Sequence, residues 1–403
     1  MDNVLKERDL ESKRLKWLDG LKGLACMGVF THHFMLGLFP SSYYGEDAMP
    51  KLSGALDYYL SFSPFSVVIN GNFWVHLFIL ISAFLPAYRL MQTKEEDFRS
   101  KASTTLLRRY PRLALPIFVF SMGNYCILRL LMHFDLNYSG KELNYGLADY
   151  IRHTLFFQFF AQDDTILGPL WTIHYLFFAV IFAVLLSMLA RKNFRFMSAL
   201  LLLLIIPVGS VDWNYLPVLL GVLLADICAN GRLLWLKDRF KFMERRGGKI
   251  AVSVLLILLG LFLGGYPSYV TPHNIYEIFI TIGPIWRFLG ILNTAAFLHA
   301  LGAFMVMGGL MIWNEEKLPS PLSTKPMQFL GSCCMGIFLL HLPWLEYLGY
   351  YLNKEILYPK TGSWGYAALI LYPIMALLIL FSAWLFHILV EKPCDKLCAK
   401  IKV

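Results

Sequence analysis

A cation and an imidazole, Lys22 and His33, lie in the first apolar stretch of the chain, 21–39. Eleven residues of helix make about three turns and ~16 Å, so the two side chains share one face. That rise is close to half of a ~30 Å hydrocarbon core. The spacing therefore places a positive charge near one membrane surface and a proton-exchanging group near the midplane.

The neighbours of this pair strengthen the case for function. Asp19 lies at i−3 from Lys22 and is predicted to form an ion pair with it at the start of the apolar helix. His32 points about 80° away from the direction of Lys22, which makes it a weaker candidate than His33. Ionisable groups inside a membrane are costly, so each is by default a candidate for function. The competing explanation for His33 is a hydrogen-bonded histidine of the protein core.

Other ionisable residues in apolar stretches are given no role. Core positions are expected for His76, His174 and His299. Arg129 and Asp226 are predicted to be buried charges without an obvious partner. No metal site is predicted, because no two histidines lie at i, i+4 on one helix together with a carboxylate.

The composition indicates the class of protein. Of the 403 residues, 57% are hydrophobic and 16% are charged, and the mean hydropathy is +0.56. The apolar runs are continuous, whereas the strands of a membrane barrel alternate, so the sequence predicts an all-α, polytopic integral membrane bundle. Ten spans are predicted: 21–39, 71–91, 112–134, 168–190, 197–211, 213–230, 250–266, 294–313, 328–349 and 364–390.

Basic residues are concentrated in short segments between the spans, and such segments face the cytoplasm in membrane proteins. The cytoplasmic segments are predicted to be 1–20, 92–111, 191–196, 231–249, 314–327 and 391–403. Both termini are then cytoplasmic: a segment 1–20 precedes a transmembrane domain 21–390, and a basic tail 391–403 follows it. This topology explains the net charge of +9, and no nucleic-acid partner is expected.

Three predicted external segments, 40–70, 135–167 and 267–293, are longer than a turn requires and rich in aromatic residues. A belt of aromatic side chains at the membrane interface explains most of them. The alternative is that some of these rings stack against sugar rings at the outer face. The tyrosines concerned include Tyr43, Tyr44, Tyr58, Tyr59, Tyr266 and Tyr269.

Several motifs occur in one order along most of the chain. The first is Leu-Asp-Gly-Leu-Lys-Gly at 18–23, followed by His33. The others are Ser82-Ala83-Phe84, Arg108-Arg109-Tyr110-Pro111-Arg112, Leu170-Trp171-Thr172, Leu339-Leu340-His341 and Glu391-Lys392-Pro393. The set resembles the acyltransferase-3 family of multi-spanning membrane acyltransferases.

The resemblance implies transfer of an acyl group, expected to be acetyl, from cytosolic acyl-CoA to a hydroxyl group. The acceptor is expected to be a surface glycan or a lipid-linked saccharide, and the enzyme a multi-pass protein of the plasma membrane. Acyl-CoA is then a donor substrate, and no cofactor is held permanently. The expected partners are acyl-CoA, the saccharide and the lipid bilayer.

Matched position by position, the resemblance assigns catalytic roles to His33, Lys22, Asp19 and His341, and substrate contacts to Trp171 and Ser82. The phosphates of acyl-CoA require cations at the cytoplasmic mouth. Candidates at the inner ends of the first three spans are Arg89, Arg108, Arg109 and Arg112. Arg109 and Arg112 present one face if their helix begins before Pro111. The competing explanation is the ordinary positive charge of cytoplasmic segments.

Three positions depart from the pattern of the family. Lys22 stands where Arg is usual, which keeps the charge but loses the bidentate fork. Phe338 replaces a Tyr. Leu176 replaces a Glu five residues after Trp171, so a carboxylate that orients a catalytic group or binds an acceptor hydroxyl is missing there. The missing carboxylate affects the expected identity of the substrate more than the expected type of reaction.

A function of another class also explains the histidines. In a proton-coupled transporter or a lipid-linked glycan flippase, His33, His341 and Asp226 would relay protons. That interpretation accounts less well for the arginine cluster and for the motif at 18–23.

Overall fold

The computed structural model describes residues 2–52, 56–136, 145–163, 166, 168–192, 204, 212–229, 243, 245–271, 273–288, 290–316 and 318–402. Every regular element in these ranges is helical. The principal helices are α1 (Asp2–Leu38), α2 (Gly71–Met91), α3 (Glu95–His133), α4 (Trp171–Lys192), α5 (Leu216–Ala229), α6 (Arg246–Gly264), α7 (Thr294–Glu315), α8 (Lys325–Ser332), α9 (Cys334–Trp344), α10 (Trp364–Phe386) and α11 (Lys392–Ala399).

Short helical segments connect these helices. They are Ser41–Tyr44, Leu56–Leu60, Pro64–Val68, Leu147–Arg152, His153–Phe157, Gln158–Phe160, Gly168–Leu170, Trp213–Tyr215, Asn274–Tyr276, Glu277–Thr281, Gly283–Phe288, Pro321–Ser323, Leu345–Gly349, Leu352–Leu357, Tyr358–Thr361 and His387–Glu391. Four of them have the wider π-helical turn: His153–Phe157, Leu345–Gly349, Leu352–Leu357 and His387–Glu391.

The predicted fold class, a helical membrane protein, is confirmed. Six helices in the described part of the chain are long and apolar enough to cross a membrane, and the bent pair α8 and α9 adds a seventh if it counts as one span. The six are Gly71–Met91, Glu95–His133, Gly168–Leu189, Arg246–Gly264, Thr294–Glu315 and Trp364–Ala399. The total of ten spans and the cytoplasmic termini remain predictions, and the predicted span 197–211 lies almost wholly outside the described residues.

Two helices begin well before the spans predicted within them. Helix α1 continues unbroken from the segment 1–20 into the apolar stretch, so the charged segment and the apolar stretch form one continuous helix. Helix α3 begins at Glu95 and passes through Pro111 and Pro116, each of which removes one intrahelical hydrogen bond without ending the helix. Arg109 and Arg112 therefore lie on one continuous helix.

The predicted span 328–349 is formed by a bent pair of helices and not by one straight helix. Helices α8 and α9 are bent by 69° on either side of Cys333, whose side chain is fully buried. Both helices pack against α1, α8 near its charged part and α9 farther along it. The bend therefore lies between two contacts with the same helix.

Glycines permit this close approach. A Cβ atom on Gly23 would lie 2.5 Å from the backbone nitrogen of Gly331, and one on Gly331 would lie 2.5 Å from the carbonyl carbon of Asp19. Real Cβ atoms are not found at such distances, so only glycine lets the two backbones touch. The glycines of the motif at 18–23 thus fix Asp19 and Lys22 against α8.

The prediction that Arg129 is buried is wrong. Its side chain is exposed, and its Nε and Nη2 atoms donate hydrogen bonds to the Tyr125 hydroxyl at 3.2 and 3.1 Å. Arg129 lies four residues from the end of α3, on the outer surface of the helix beside the exposed Ile127 and Leu130. Asp226 is fully buried as predicted, but it does not lack a partner.

Replacing Gly331 by alanine is expected to destabilise the protein by ~1–3 kcal/mol, because the added methyl group meets backbone atoms of α1. Thermal unfolding of the purified protein in detergent measures the loss. Gly247→Ala is the matched control, since a Cβ at Gly247, in the first turn of α6, meets no atom within 4 Å. Equal melting temperatures for the two variants would contradict the backbone contact.

Candidate active site

Two histidines from distant parts of the chain meet between α1 and α9. His33 Nδ1 and His341 Nε2 are 3.2 Å apart, and the ring centroids are 4.9 Å apart. Helix α9 brings His341 to this level because it runs alongside α1 after the bend at Cys333. The structure thus joins the two candidates that the sequence placed 308 residues apart.

Backbone carbonyl groups determine which ring nitrogens carry protons. His341 Nδ1 lies 3.0 Å from the Ile337 carbonyl oxygen, and His33 Nδ1 lies 3.0 Å from the Val29 carbonyl oxygen. Because a carbonyl oxygen only accepts, both rings are assigned a proton on Nδ1. His341 Nε2 then accepts from His33, and His33 Nε2 is left with the lone pair that a general base needs.

The charged end of α1 has the predicted ion pair. Lys22 Nζ donates to Asp19 Oδ1 at 2.7 Å, and the lysine side chain is 22% exposed, against 48% for the aspartate. Lys22 therefore lies at the border of the protein interior. It is on the same face of α1 as His33, and Cys26 and Val29 fill the two turns between them.

A cavity lies along this face of α1, on the Lys22 side of the histidine pair. Its volume is about 20 Å³, and its walls come from α1, α2, α4 and α9. The lining residues are Ala25, Cys26, Val29, Val75, Phe78, Ile79, Thr172, Leu176 and Phe338. This surface is apolar, so the cavity marks a small gap in an apolar seam between these helices.

Ser82 and Trp171 border this cavity without lining it. Ser82 follows Phe78 and Ile79 by one turn on α2, and so lies on the same face nearer the Met91 end. Trp171 precedes the lining residue Thr172 and packs against Tyr175, with ring centroids 5.6 Å apart. Direct substrate contacts by either residue remain predictions.

Arg109 is the arginine nearest to the cavity. Its Nη2 atom donates to the carbonyl oxygen of Leu176, a lining residue, and its buried Nε has no hydrogen-bond partner in the described part of the chain. A guanidinium with an unused donor at the edge of a cavity suits an anionic group. Burial of such a cation also favours an anion close to it.

The other three arginines lie farther out. Arg108 donates to the carbonyl oxygens of Ala399 and Ile401, both at 2.8 Å, and so holds the end of the chain against α3. Arg112 pairs with Asp395 on α11, with 2.9 Å between Nε and Oδ1, and Arg89 is exposed at the end of α2. Arg109 and Arg112 thus share a helix but point to different partners.

Four further histidines are buried and hydrogen-bonded to backbone carbonyl oxygens. His32 contacts Ile69 at 2.8 Å, His76 contacts Asn72 at 2.6 Å, His174 contacts Phe159 at 2.8 Å and His299 contacts Tyr266 at 2.8 Å. His76, His174 and His299 are therefore core residues, as expected. His32 lies against the start of α2 and its ring centroid is 4.9 Å from that of Tyr43.

A comparison with protein families covers both histidines of this pair and the four arginines. The model of an acyltransferase domain matches residues 15–388, which is nearly the whole chain. The chain belongs to the acyltransferase-3 family. It is therefore a membrane acyltransferase. No curated protein and no solved structure matches the chain.

The structure of this acyltransferase also explains one departure from the family pattern. Leu176, which stands where a Glu is usual, points its side chain into the cavity wall while its backbone carbonyl accepts the hydrogen bond from Arg109. The position thus contributes a backbone oxygen to the guanidinium, but its side chain has no charge to orient a substrate.

One residue of the site was not found from the sequence. The Tyr350 hydroxyl donates to the carbonyl oxygen of His33 at 3.1 Å and so ties the segment after α9 to the catalytic candidate. A tyrosine in an aromatic-rich stretch carries no pattern that predicts this contact. Only the packing of the two helices reveals it.

Proposed function

We propose that this membrane acyltransferase transfers an acyl group, in the simplest case acetyl, from cytosolic acyl-CoA to a hydroxyl group of a surface glycan or a lipid-linked saccharide at the plasma membrane. The observation that carries the proposal is the buried contact between His33 and His341, which lie one helical turn beyond Val29 and Phe338 of the apolar cavity. A general base next to a dry compartment is what transfer of an acyl group to a hydroxyl requires, because water there would hydrolyse the thioester.

In the proposed step, the acceptor hydroxyl gives its proton to His33 Nε2 while its oxygen forms a bond to the thioester carbonyl carbon. The carbon–sulfur bond then breaks, and the CoA thiolate takes the proton from the imidazolium. During this step Nδ1 of His33 keeps its proton, directed at the Val29 carbonyl oxygen and at His341 Nε2. His341 is thus a positioning residue that stabilises the charged form of His33.

The donor is proposed to enter from the end of the bundle that holds Lys22 and Arg109. Arg109 offers an unused buried donor, and Lys22 adds a second positive charge. The flexible pantetheine arm would then run along the apolar cavity and bring the thioester up to His33. Arg108 and Arg112 support this mouth by holding the chain segment 395–401.

A saccharide acceptor is favoured by tyrosines at the opposite end of the bundle. Tyr43, Tyr44 and Tyr269 form a cluster, with 4.5 Å between the ring centroids of Tyr43 and Tyr269. Tyr44 and Tyr269 are 62% and 67% exposed, so their ring faces are open to stack on a sugar. Tyr43 packs on His32, next to His33.

The phenol of Tyr43 remains a hydrogen-bond donor at physiological pH. Burial raises the pKa of the Tyr43 hydroxyl above its usual range, so the group stays neutral. The side-chain amide of Asn72, at the start of α2, donates to this hydroxyl and also to the Ser268 hydroxyl, the latter at 2.9 Å. The cluster thus combines open ring faces with polar groups, as a saccharide site needs.

The positions of the three residues do not support the proton relay that the transporter hypothesis requires. Asp226 lies on α5, which packs against α2, α4 and α7, whereas His33 and His341 meet between α1 and α9. The three groups are therefore carried by different parts of the bundle. No observation on the described residues favours that function over acyl transfer.

His33→Ala is expected to lower acyl-CoA-dependent labelling of glycan in membranes by ~10²–10⁴-fold, because it removes the general base. The measurement is transfer of radioactivity from labelled acetyl-CoA, with protein level determined in parallel. His273→Ala replaces an exposed histidine at the outer end and should label like the wild type. Unchanged labelling by the His33 variant would end the assignment of this residue as the base.

Arg109→Gln, alone or combined with Arg112→Gln, is expected to raise the dissociation constant for acetyl-CoA by ~10-fold or more, because a charged hydrogen bond is lost. The single variant should cause most of the effect, since Arg112 is already paired with Asp395. Arg152→Gln, an exposed arginine at the outer end, is the control. Cysteine-accessibility mapping must show the same topology for all variants; an inverted topology would mean that the arginines act only in orientation.

Tyr269→Ala and Tyr44→Ala are each expected to raise the KM for the saccharide about threefold to tenfold, because a stacking surface is lost. Phenylalanine at either position should restore the wild-type value, and the KM for acetyl-CoA should not change. Tyr366→Ala removes an equally exposed ring at the same end, on α10, and tests the alternative of an interfacial belt. If Tyr366→Ala has the same effect, stacking on a sugar is not the role of the cluster.

A further inference from the structure

The part of α1 that carries His33 lies close to the end of the helix. Helix α1 ends at Leu38, five residues after His33. The last four carbonyl groups of a helix lack amide partners within it, so the last turn frays unless other elements hold it. His33 Nδ1 lies 3.2 Å from His341 Nε2, and a shift of this part of α1 would change that distance. The contacts that hold the end of α1 therefore affect the site.

Two aromatic side chains donate hydrogen bonds to this part of α1. The Tyr350 hydroxyl donates to the His33 carbonyl oxygen at 3.1 Å, and Trp364 Nε1 donates to the Leu38 carbonyl oxygen at 2.8 Å. The bond from Trp364 satisfies one of the carbonyl groups that the helix end leaves open. The bond from Tyr350 takes a second lone pair of a carbonyl oxygen inside the helix. Of the two aromatic residues, Tyr350 is the one that contacts the histidine assigned as the base.

Gly37 allows the phenol of Tyr350 to reach the backbone of α1. It lies one turn after His33, on the same side of the helix. A Cβ atom on Gly37 would overlap the hydroxyl oxygen and ring carbons of Tyr350. Any other residue at this position would therefore push the phenol away from α1. Glycine is the least favourable residue in a helix after proline, and here it opens the surface of α1 to the tyrosine.

Tyr350 belongs to the same helical stretch as His341. Helix α9 carries His341 and passes directly into the π-helical segment Leu345–Gly349, which Tyr350 follows. This stretch thus contacts His33 twice, through the ring of His341 and through the phenol that bonds to the backbone. One contact holds the side chain of His33 and the other holds its peptide group. Together they fix both parts of His33 relative to α9.

We propose that Tyr350 is a positioning residue for acyl transfer, and that its hydrogen bond to the His33 carbonyl oxygen keeps His33 Nδ1 in contact with His341 Nε2. The inference rests on the proposed function, in which His33 is the general base. One neutral hydrogen bond is a small part of the stability of a protein of this size. In contrast, misplacing a reacting group by ~1 Å lowers the rate by ~10²-fold. The bond from Tyr350 therefore affects the rate more than the fold.

The first test is Tyr350→Phe, which removes the hydroxyl and keeps the ring. Transfer from labelled acetyl-CoA to the saccharide fraction extracted from the same membranes is measured in detergent-solubilised membranes. The variant should lower kcat by ~10–100-fold and leave both KM values and the melting temperature close to those of the wild type. Tyr372→Phe is the matched control. The Tyr372 hydroxyl, on α10, lies 2.8 Å from Thr31 Oγ1 on α1, so its loss removes a similar bond that does not involve His33.

Two further variants separate positioning from general support of the fold. Gly37→Ala should lower kcat at least as much as Tyr350→Phe does, because the added methyl group displaces the phenol. In a His341→Ala background, Tyr350→Phe should lower kcat by less than about threefold, because the contact that the phenol preserves is already lost. A tyrosine that only stabilised the fold would cause the same loss in both backgrounds.

Each outcome has one meaning. Wild-type protein that transfers no acetyl group would overturn the proposed function itself. Active wild type together with an unchanged kcat in Tyr350→Phe would overturn only the positioning role. An equal loss in Tyr372→Phe, or the full loss repeated in the His341→Ala background, would likewise overturn that role. A fall in kcat that occurs in Tyr350→Phe and Gly37→Ala and is absent in the His341→Ala background supports the proposal.

Discussion

The contact between His33 and His341 is the interaction on which the rest of the structure depends. Burying two imidazoles inside a membrane protein costs free energy unless their nitrogen atoms are hydrogen-bonded. Here each Nδ1 atom uses a carbonyl oxygen of its own helix, and the two rings use each other. This arrangement requires α1 and α9 to lie side by side at one depth. The glycine contact between α1 and α8 and the bend at Cys333 are the means by which the chain achieves it.

Two small cavities lie near this pair. The residues of the cavity on the Lys22 side of His33 are small or apolar. On the other side, Glu346 lines a smaller gap together with Pro343. Phe338 lines both spaces, and its ring centroid is 6.3 Å from that of His341. The surroundings of the two histidines therefore differ in polarity on their two sides.

The sequence predicted the parts of this arrangement that depend on local periodicity. The shared face of Lys22 and His33, the ion pair with Asp19 and the bounds 71–91 of α2 all follow from helix geometry and hydropathy. The resemblance to the family named His341 as a second catalytic candidate, but its contact with His33 was not predicted, because spacing says which face a residue occupies and not which helix covers it. The bend at Cys333 was missed because the apolar run continues across it.

Partners of long side chains were equally unpredictable. The arginines at 108, 109 and 112 were grouped by their proximity in sequence, yet they reach the end of the chain, the backbone of α4 and Asp395. Arg129 was expected to be buried because it interrupts an apolar run, but its side chain is exposed and bonded to the Tyr125 hydroxyl. In each case the decisive information is the position of an element more than forty residues away or the reach of the side chain.

The hydrogen bonds from Arg108 to the carbonyl oxygens of Ala399 and Ile401 join α3 to the residues that follow α11. During synthesis, the transmembrane helices enter the bilayer in order, whereas these bonds cannot form until residues 399–401 have left the ribosome. A growing chain with both histidines already in the membrane would therefore still lack this contact on the helix that carries Arg109. A protein domain fused close to residues 399–401 would disturb the same bonds, so an amino-terminal label is the safer choice for handling this enzyme.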